Sequence, residues 1–247
     1  MRKAEQNTSR NVQASSIAQI RSRLRELANP ERASASLKYF KTAPGQYGAG
    51  DQFLGNTVPD LRKLAKEYID LPAKNLLDLL HSKIHEERVL ALLILNLQFQ
   101  QGSEIERKKA HHLFLKNIRW ANNWDLVDCS APLLVGEYLL DRESKLLDKL
   151  ASSKNLWERR TAILATLAFI RKNRPDVTIR IARILIHDRE DLIHKATGWM
   201  LREVGKKNPR ILRRFLNEHA STMPRTTLRY AIEKFPESER QRYLTRS

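Results

Sequence analysis

Apolar residues recur at three- and four-residue spacings along almost the whole chain, as in helices that bury one face. The pattern first runs from Ile17 to Leu27, ends at Asn29-Pro30, and resumes at Leu61 after Thr57-Val58-Pro59. Short breaks then separate ten further periodic stretches, which are Ala73–His81, Glu86–Gln100, Ser103–Ile118, Trp124–Leu140, Glu143–Leu150, Leu156–Arg171, Asp176–Ile186, Asp191–Lys206, Pro209–Glu218 and Arg225–Phe235. Because patterns typical of strands are nearly absent, we predict an all-α fold of about a dozen short helices.

A repeat of about 36 residues relates four of these helices. Its aligned segments, EERVLALLIL, WDLVDCSAPLL, ERRTAILATL and HKATGWMLREV, place Arg88, Trp124, Arg160 and Lys195 at intervals of 36, 36 and 35 residues. Such a period with two helices per unit is typical of HEAT-like solenoids, whose second helices line one concave face. The aligned positions should form one row along that face, and the residues one turn later a second row, made of Leu92, Asp128, Leu164 and Trp199. We predict a superhelical solenoid of antiparallel helix pairs.

The solenoid should occupy residues 15–247 as a single domain. Residues 1–14 are polar, lack the apolar core of a signal peptide and predict a flexible arm. The longest wholly apolar run, Val89–Leu95, is far too short for a membrane span. The single cysteine, Cys129, cannot form an internal disulfide, which favours a reducing cytoplasm.

The charge of the chain is strongly positive. Lys and Arg number 45 against 28 Asp and Glu, which gives +17 and a pI near 10.2. Residues 171–247 hold 19 Lys and Arg against 9 Asp and Glu, so this last third carries +10. A polyanionic partner is expected to bind a basic concave face.

The segment PGQYGAGDQFLG (44–55) holds four of the eight glycines. Gly45 and Gly50 have the separation of a phosphate-binding loop, but Asp51 stands where that loop requires Lys. The segment is predicted to close one helix and place the next.

Metal and nucleophile chemistry have little support. His81 and His85 have the spacing of two ligands on one helix face, yet no third ligand lies near them in sequence. Cys129 has no sequence cue for a histidine partner and is predicted to be a small core residue. We expect neither a metal nor a cofactor.

Trp124 and Asp128 are four residues apart in the stretch WANNWDLVD, so an indole and a carboxylate share one helix side. Both could be structural, as core packing and a first-turn acid. The repeat nevertheless puts Asp128 and Trp199 in one row, with Trp124 and Arg160 in the next. A carboxylate between two indoles on a face that meets a polyanion indicates a functional site as readily as a structural one.

These segments resemble the HEAT-like-repeat DNA alkylation repair proteins, the alkylpurine DNA glycosylases of the AlkD type. The resemblance rests on WDLVDCSAP, NLWERRTAIL, IHKATGWMLRE and, upstream, YFKTAPGQYGAGDQFLGNTVPDLR, and it covers roughly residues 15–235. It implies a catalytic cleft of Asp128, Trp124, Trp199 and Arg160. The segment at 44–55 is longer than in the best-known members.

The implied reaction is hydrolysis of the N-glycosidic bond of an N7- or N3-alkylated purine in duplex DNA, with the base left unenclosed. Asp128 would stabilise the positive charge that develops on the deoxyribose, and Arg160 would suit a backbone phosphate. DNA contacts are expected from one cleft aromatic and from basic side chains, namely Tyr39, Arg62, Arg88, Arg159, Lys195, Arg202, Lys206 and Lys207. We also expect the protein to be a monomer that is located in the cytoplasm and associates with the nucleoid when bound to DNA.

Two other classes stay open. A non-catalytic solenoid could hold damaged or branched DNA without cutting a bond, and a scaffold could take an acidic peptide on its concave face. The charge of Asp128 favours the enzyme over the pure binder, because a carboxylate that faces phosphates weakens binding.

Overall fold

Fourteen α-helices build the part of the chain that this computed structural model describes, residues 17–245. The predicted N-terminal arm, residues 1–14, lies outside these described residues. In chain order α1 to α14 are Ile17–Glu26, Pro30–Tyr39, Val58–Glu67, Ala73–Leu80, His85–Gln101, Glu104–Lys116, Trp124–Ala131, Lys145–Ala151, Leu156–Arg171, Pro175–Leu185, Asp191–Lys207, Pro209–His219, Arg225–Ala231 and Glu237–Leu244. The all-α prediction is confirmed. Among residues 17–245, every helix is too short or too polar to span a bilayer.

The helices pack as pairs, and the second helices of successive pairs stack on one another. α5 contacts α7, α7 contacts α9, α9 contacts α11, and α11 contacts α13. A first helix packs against the second helix that follows it, as α4 does against α5, α8 against α9 and α10 against α11. Each of the four aligned segments lies at the start of a stacked second helix. The HEAT-like solenoid is confirmed, while the basic character of its concave face stays a prediction.

Two helices escaped the sequence analysis because their start signals are short. Asn29-Pro30 begins α2, three residues after α1 ends at Glu26. The Asn29 side chain accepts a hydrogen bond from the Arg32 N–H at 2.9 Å, and Pro30 is the first helical residue. α14 likewise follows a proline, Pro236.

The helix predicted for Trp124–Leu140 is interrupted by a π-helical turn at Pro132–Glu137. Pro132 has no N–H to donate to the Asp128 carbonyl one turn earlier, so α7 ends before it. Gly136 lies against α9, where a Cβ atom would come within 2.2 Å of the Ala165 carbonyl oxygen. The missing side chain lets this segment approach α9 closely.

Residues 40–57 form the α2–α3 loop, which contains the predicted loop at 44–55. The loop is pinned to the start of α5, because the Gln52 N–H donates to the Lys83 carbonyl at 2.9 Å and the His85 N–H donates to the Gln52 carbonyl at 2.8 Å. The predicted glycine-rich loop is confirmed, and it reaches the N-terminal end of a second helix.

Candidate active site

A cleft of about 890 Å³ lies where the N-terminal parts of α7, α9 and α11 meet the α2–α3 loop. Its aromatic lining comprises Tyr39, Tyr47, Trp124, Trp199 and Tyr230, and its charged lining comprises Lys41, Arg160, Glu190, Asp191, Lys195 and Arg202. Residues predicted from three separate repeats therefore share one cleft.

The Asp128 carboxylate is held by Arg160. The Arg160 Nε and Nη2 atoms donate to the two Asp128 oxygens, each at 2.8 Å, and Nη1 donates to the Leu192 carbonyl. Arg160 is only 5% exposed, whereas the Asp128 side chain keeps 18% of its surface exposed. The carboxylate is thus one half of a bidentate ion pair, and the guanidinium expected to bind a phosphate is engaged in fixing it.

Burial and the ion pair act in opposite directions on Asp128. Burial raises the pKa of this carboxyl by more than the hydrogen bonds and charge of Arg160 lower it, so the pKa lies above its ordinary value. Since Arg160 opposes the desolvation, it favours an ionised carboxylate in a poorly hydrated place. Charge there interacts more strongly with a cation than it would in water.

The Trp124 indole belongs to a chain of aromatic rings. It stacks on the Phe40 ring at 5.6 Å between centroids, with 23° between the ring planes, and lies edge-to-face with Tyr39 at 5.8 Å. Tyr39 is 66% exposed, so its ring is open to a ligand in the cleft. On the opposite wall, the Trp199 Nε1 donates to Glu203 at 3.2 Å. Both indoles are oriented by neighbours.

Comparisons with known proteins identify the family of this chain. The sequence profile of a family described as "DNA alkylation repair enzyme" matches residues 20–235. The chain belongs to this family. A structure from Enterococcus faecalis, titled a predicted DNA alkylation repair enzyme, is 21% identical with a TM-score of 0.65 and covers 85% of this chain and 97% of its own.

AlkD2 from Streptococcus mutans is 20% identical with a TM-score of 0.56 and covers 90% of this chain and 100% of its own. The smu.31 protein of Streptococcus mutans UA159 is 21% identical with a TM-score of 0.55 over the same shares. At this identity the likeness shows the fold. A comparison with curated proteins gives no match.

Arg88 is buried in an ion pair and is not available for the DNA contact that the sequence analysis expected. It is 3% exposed, and its Nη2 donates to Asp51 at 2.6 Å while Nη1 donates to Asn122 at 3.0 Å. A buried guanidinium that is bound to a buried carboxylate has no room for a phosphate. Arg88 therefore anchors the α2–α3 loop and is removed from the expected DNA contacts.

The second row is also partly core, because Leu92 and Leu164 are fully buried and only Asp128 and Trp199 reach the surface. The remaining predicted basic residues are accessible to different degrees. Arg62 and Lys207 are exposed, whereas four others form ion pairs, which are Arg159–Asp188, Lys195–Asp191, Arg202–Glu233 and Lys206–Glu203. Lys195 and Arg202 line the cleft with Tyr39.

Tyr47 is a cleft residue that the sequence analysis missed. It projects from the α2–α3 loop, with its ring edge-to-face with Trp157 at 5.9 Å. Burial raises the pKa of its phenol, so the hydroxyl stays protonated. Its position could have identified it from the sequence, because it lies in the glycine-rich segment eight residues after Tyr39, within the stretch that carries the resemblance.

Cys129 and the histidines take structural positions. Burial raises the pKa of the Cys129 thiol to about 12, so it is no nucleophile at neutral pH. The His81 Nε2 contacts the Asn117 side-chain oxygen at 2.9 Å, and His85 contacts Asp125. Among residues 17–245, no three His, Cys, Asp or Glu side chains gather as a metal site requires.

Proposed function

We propose that this chain is a monofunctional DNA glycosylase, which hydrolyses the N-glycosidic bond of N7- or N3-alkylated purines in duplex DNA. The observation that carries the proposal is the partly exposed Asp128 carboxylate, which is fixed by two hydrogen bonds from Arg160, a residue that lines a cleft together with Trp124 and Trp199. Membership of a DNA alkylation repair family supports the same substrate class.

The proposed hydrolysis requires a carboxylate but no general acid to protonate the leaving base. An N7- or N3-alkylated purine already carries positive charge, so it leaves without protonation, and positive charge develops on the deoxyribose as the bond breaks. Asp128 can stabilise that charge and orient the attacking water, as glycosidase carboxylates do. The two hydrogen bonds from Arg160 favour the ionised form of Asp128 and orient it before the substrate arrives.

The aromatic walls suit a cationic nucleotide. Trp124 and Trp199 can present π faces to the charged purine or sugar, each worth about 0.5–2 kcal/mol depending on desolvation. Hydrolysis by water accounts for the reaction and requires no covalent imine between the sugar and a lysine, although Lys41 and Lys195 line the cleft. Strand cleavage is therefore not part of the proposed activity.

The partner is duplex DNA, bound by a monomer without metal or cofactor. Contacts to the DNA are proposed for one aromatic and six basic residues, namely Tyr39, Arg62, Arg159, Lys195, Arg202, Lys206 and Lys207. The ion pairs of Arg159, Lys195, Arg202 and Lys206 would exchange a carboxylate for a phosphate on binding, which lowers their net contribution. A cytoplasmic, nucleoid-associated location fits such a partner.

The test is incubation with duplex DNA that contains N7-methylguanine. We expect free N7-methylguanine by chromatography and an equal amount of abasic sites, with no strand break until alkali is added. Since this lesion also depurinates spontaneously, the same duplex without protein gives the background rate. Release at that background rate would contradict the proposal.

A second candidate is a non-catalytic protein that holds damaged or branched DNA. The Asp128–Arg160 pair supports it, because a neutralised carboxylate repels phosphates less than the lone carboxylate expected from sequence. Tight binding of the methylated duplex with release at the background rate would favour this candidate.

A further inference from the structure

A buried polar cluster lies directly behind Trp124. It consists of Asp51, His85, Arg88 and Asp125, of which the first three are less than 9% exposed. The His85 Nε2 is 2.7 Å from an Asp125 oxygen, and the His85 Nδ1 is 3.2 Å from the Arg88 Nη2 and 3.7 Å from an Asp51 oxygen. His85 thus connects the α2–α3 loop, through Asp51, to the first turn of α7, through Asp125.

The cluster also reaches Trp124 through stacked rings. The Phe40 centroid is 4.8 Å from that of His85 and 5.6 Å from that of Trp124, and Phe53 lies against both Phe40 and His85 at 5.3 and 4.9 Å. Trp124 is therefore set from two sides, by its neighbour Asp125 in α7 and by the Phe40 ring.

We propose that His85 is a positioning residue for Trp124, acting through Asp125 and Phe40, so that its removal misplaces an indole wall of the cleft. This inference rests on the proposed glycosylase function only for its effect on excision. A misplacement of about 1 Å at a reacting centre typically costs about 10²-fold in rate.

Both protonation states of His85 fit the cluster. The neutral ring donates from Nε2 to Asp125 and accepts at Nδ1 from Arg88, whereas the protonated ring turns an Nδ1–H toward Asp51. Burial lowers the pKa of His85, but hydrogen bonds with Asp125 and Asp51 outweigh it, so the pKa lies above the ordinary 6.5 even with Arg88 beside it. The position of Trp124 should therefore respond to pH.

The experiment follows the indole N–H resonance of Trp124 in the free protein by ¹H–¹⁵N NMR, assigned from its loss in Trp124→Phe. In the wild type it should shift with a midpoint above pH 6.5. His85→Gln keeps a donor for Asp125 and an acceptor for Arg88 but cannot gain a proton, so the resonance should keep its high-pH position and stop titrating. His85→Ala should move the resonance at every pH.

Single-turnover excision completes the test. His85→Ala should lose about tenfold or more in rate with affinity for unmodified duplex changed less than twofold, and His85→Gln should restore most of the rate. The matched control is His111→Gln, which removes another buried histidine, one bound to the Leu134 carbonyl at 2.7 Å and stacked on Tyr138. It should leave the Trp124 resonance in place.

Two results would overturn the inference. One is a Trp124 resonance that titrates alike in the wild type and in His85→Gln, and the other is an unmoved resonance in His85→Ala. If wild-type protein releases no N7-methylguanine, the proposed function fails, yet the resonance still decides whether His85 positions Trp124. If His85→Ala does not fold, the pH response of His85→Gln alone decides whether His85 positions Trp124.

Discussion

Arg88 and Arg160 occupy the same position of the repeat, two 36-residue intervals apart, and both bury a guanidinium against an aspartate. Their aspartates come from different places. Asp51 lies in the α2–α3 loop and its side chain is 5% exposed, whereas Asp128 lies on α7, one turn after Trp124, and its side chain is 18% exposed. The first pair ties a loop to a helix, and the second holds a carboxylate beside an arginine that lines the cleft.

This difference shows that the repeat predicts the position of a side chain, whereas the residue with which it pairs determines its role. An arginine at the start of a second helix meets whatever the preceding segment presents. In one repeat this is the α2–α3 loop, and in the other it is the second turn of a neighbouring second helix. Lys195, at the next equivalent position, pairs with Asp191 on its own helix and stays accessible at the cleft.

The largest effect should come from Arg88→Ala. Removal of one partner of a buried ion pair leaves Asp51 uncompensated, which typically costs about 3–5 kcal/mol of unfolding free energy. Urea denaturation should show this loss, and Asp51→Leu in the same chain should recover part of it. The salt dependence of DNA binding should stay unchanged, because Arg88 neutralises no phosphate. A shallower salt slope would return Arg88 to the DNA contacts.

The next largest effect should be a loss of excision rate in Asp128→Asn. The amide oxygen can still accept from Arg160, so the variant should fold, but the charge that meets the sugar cation is lost. One preorganised electrostatic contact is worth about 10²–10³ in rate. Single-turnover release of N7-methylguanine should fall by that factor, while affinity for unmodified duplex stays equal or rises slightly.

The matched control for Asp128→Asn is Asp148→Asn, which alters the ion pair with Arg180; neither residue lines the cleft or is proposed to contact DNA. It should lower the melting temperature and leave excision per folded molecule intact. Equal losses of excision in the two variants, or wild-type excision by Asp128→Asn, would contradict the proposed mechanism.

The sequence predicted the fold well because the fold depends on local signals. The three- and four-residue spacing decides the helices, and the 36-residue interval decides how they stack. The same interval brought Trp124, Arg160, Lys195 and Trp199 into one cleft. The sequence alone did not predict α2, because Asn29-Pro30 was interpreted only as a helix end.

Partner choice was harder to predict, because it depends on long-range geometry. The pairs Arg88–Asp51 and Arg160–Asp128 join residues 37 and 32 positions apart. No short-range pattern shows which acid an arginine will meet or how deeply the pair is buried. The same limit hid Tyr47, whose loop is tied to the start of α5 by the backbone hydrogen bonds of Gln52 and by the Asp51–Arg88 pair.

A charge reversal at the C-terminal end of α11 tests how far the functional region extends from Arg160. If Lys206 and Lys207 each contact a phosphate, Lys206→Glu with Lys207→Glu should make the log–log salt slope shallower by about 2 and weaken binding for modified and unmodified duplex alike. Lys108→Glu with Lys109→Glu on α6 is the control, because α6 lies away from the lining of the cleft. Equal slopes for the two double variants would remove Lys206 and Lys207 from the DNA contacts.

The smallest effect should come from Trp199→Phe, on the wall opposite Trp124. A phenyl ring keeps a π face but presents a weaker quadrupole and loses the hydrogen bond to Glu203, formed at 3.2 Å in the wild type. A loss of about 0.5–1 kcal/mol corresponds to a two- to fivefold slower excision.

Trp120→Phe is the control, since Trp120 lies against His81 outside the cleft lining and should change stability alone. Because a cation–π contact requires a charged partner, the deficit of Trp199→Phe should appear with N7-methylguanine and vanish in binding to unmodified duplex. An equal deficit with both would mean that Trp199 packs against DNA without sensing the charge of the lesion.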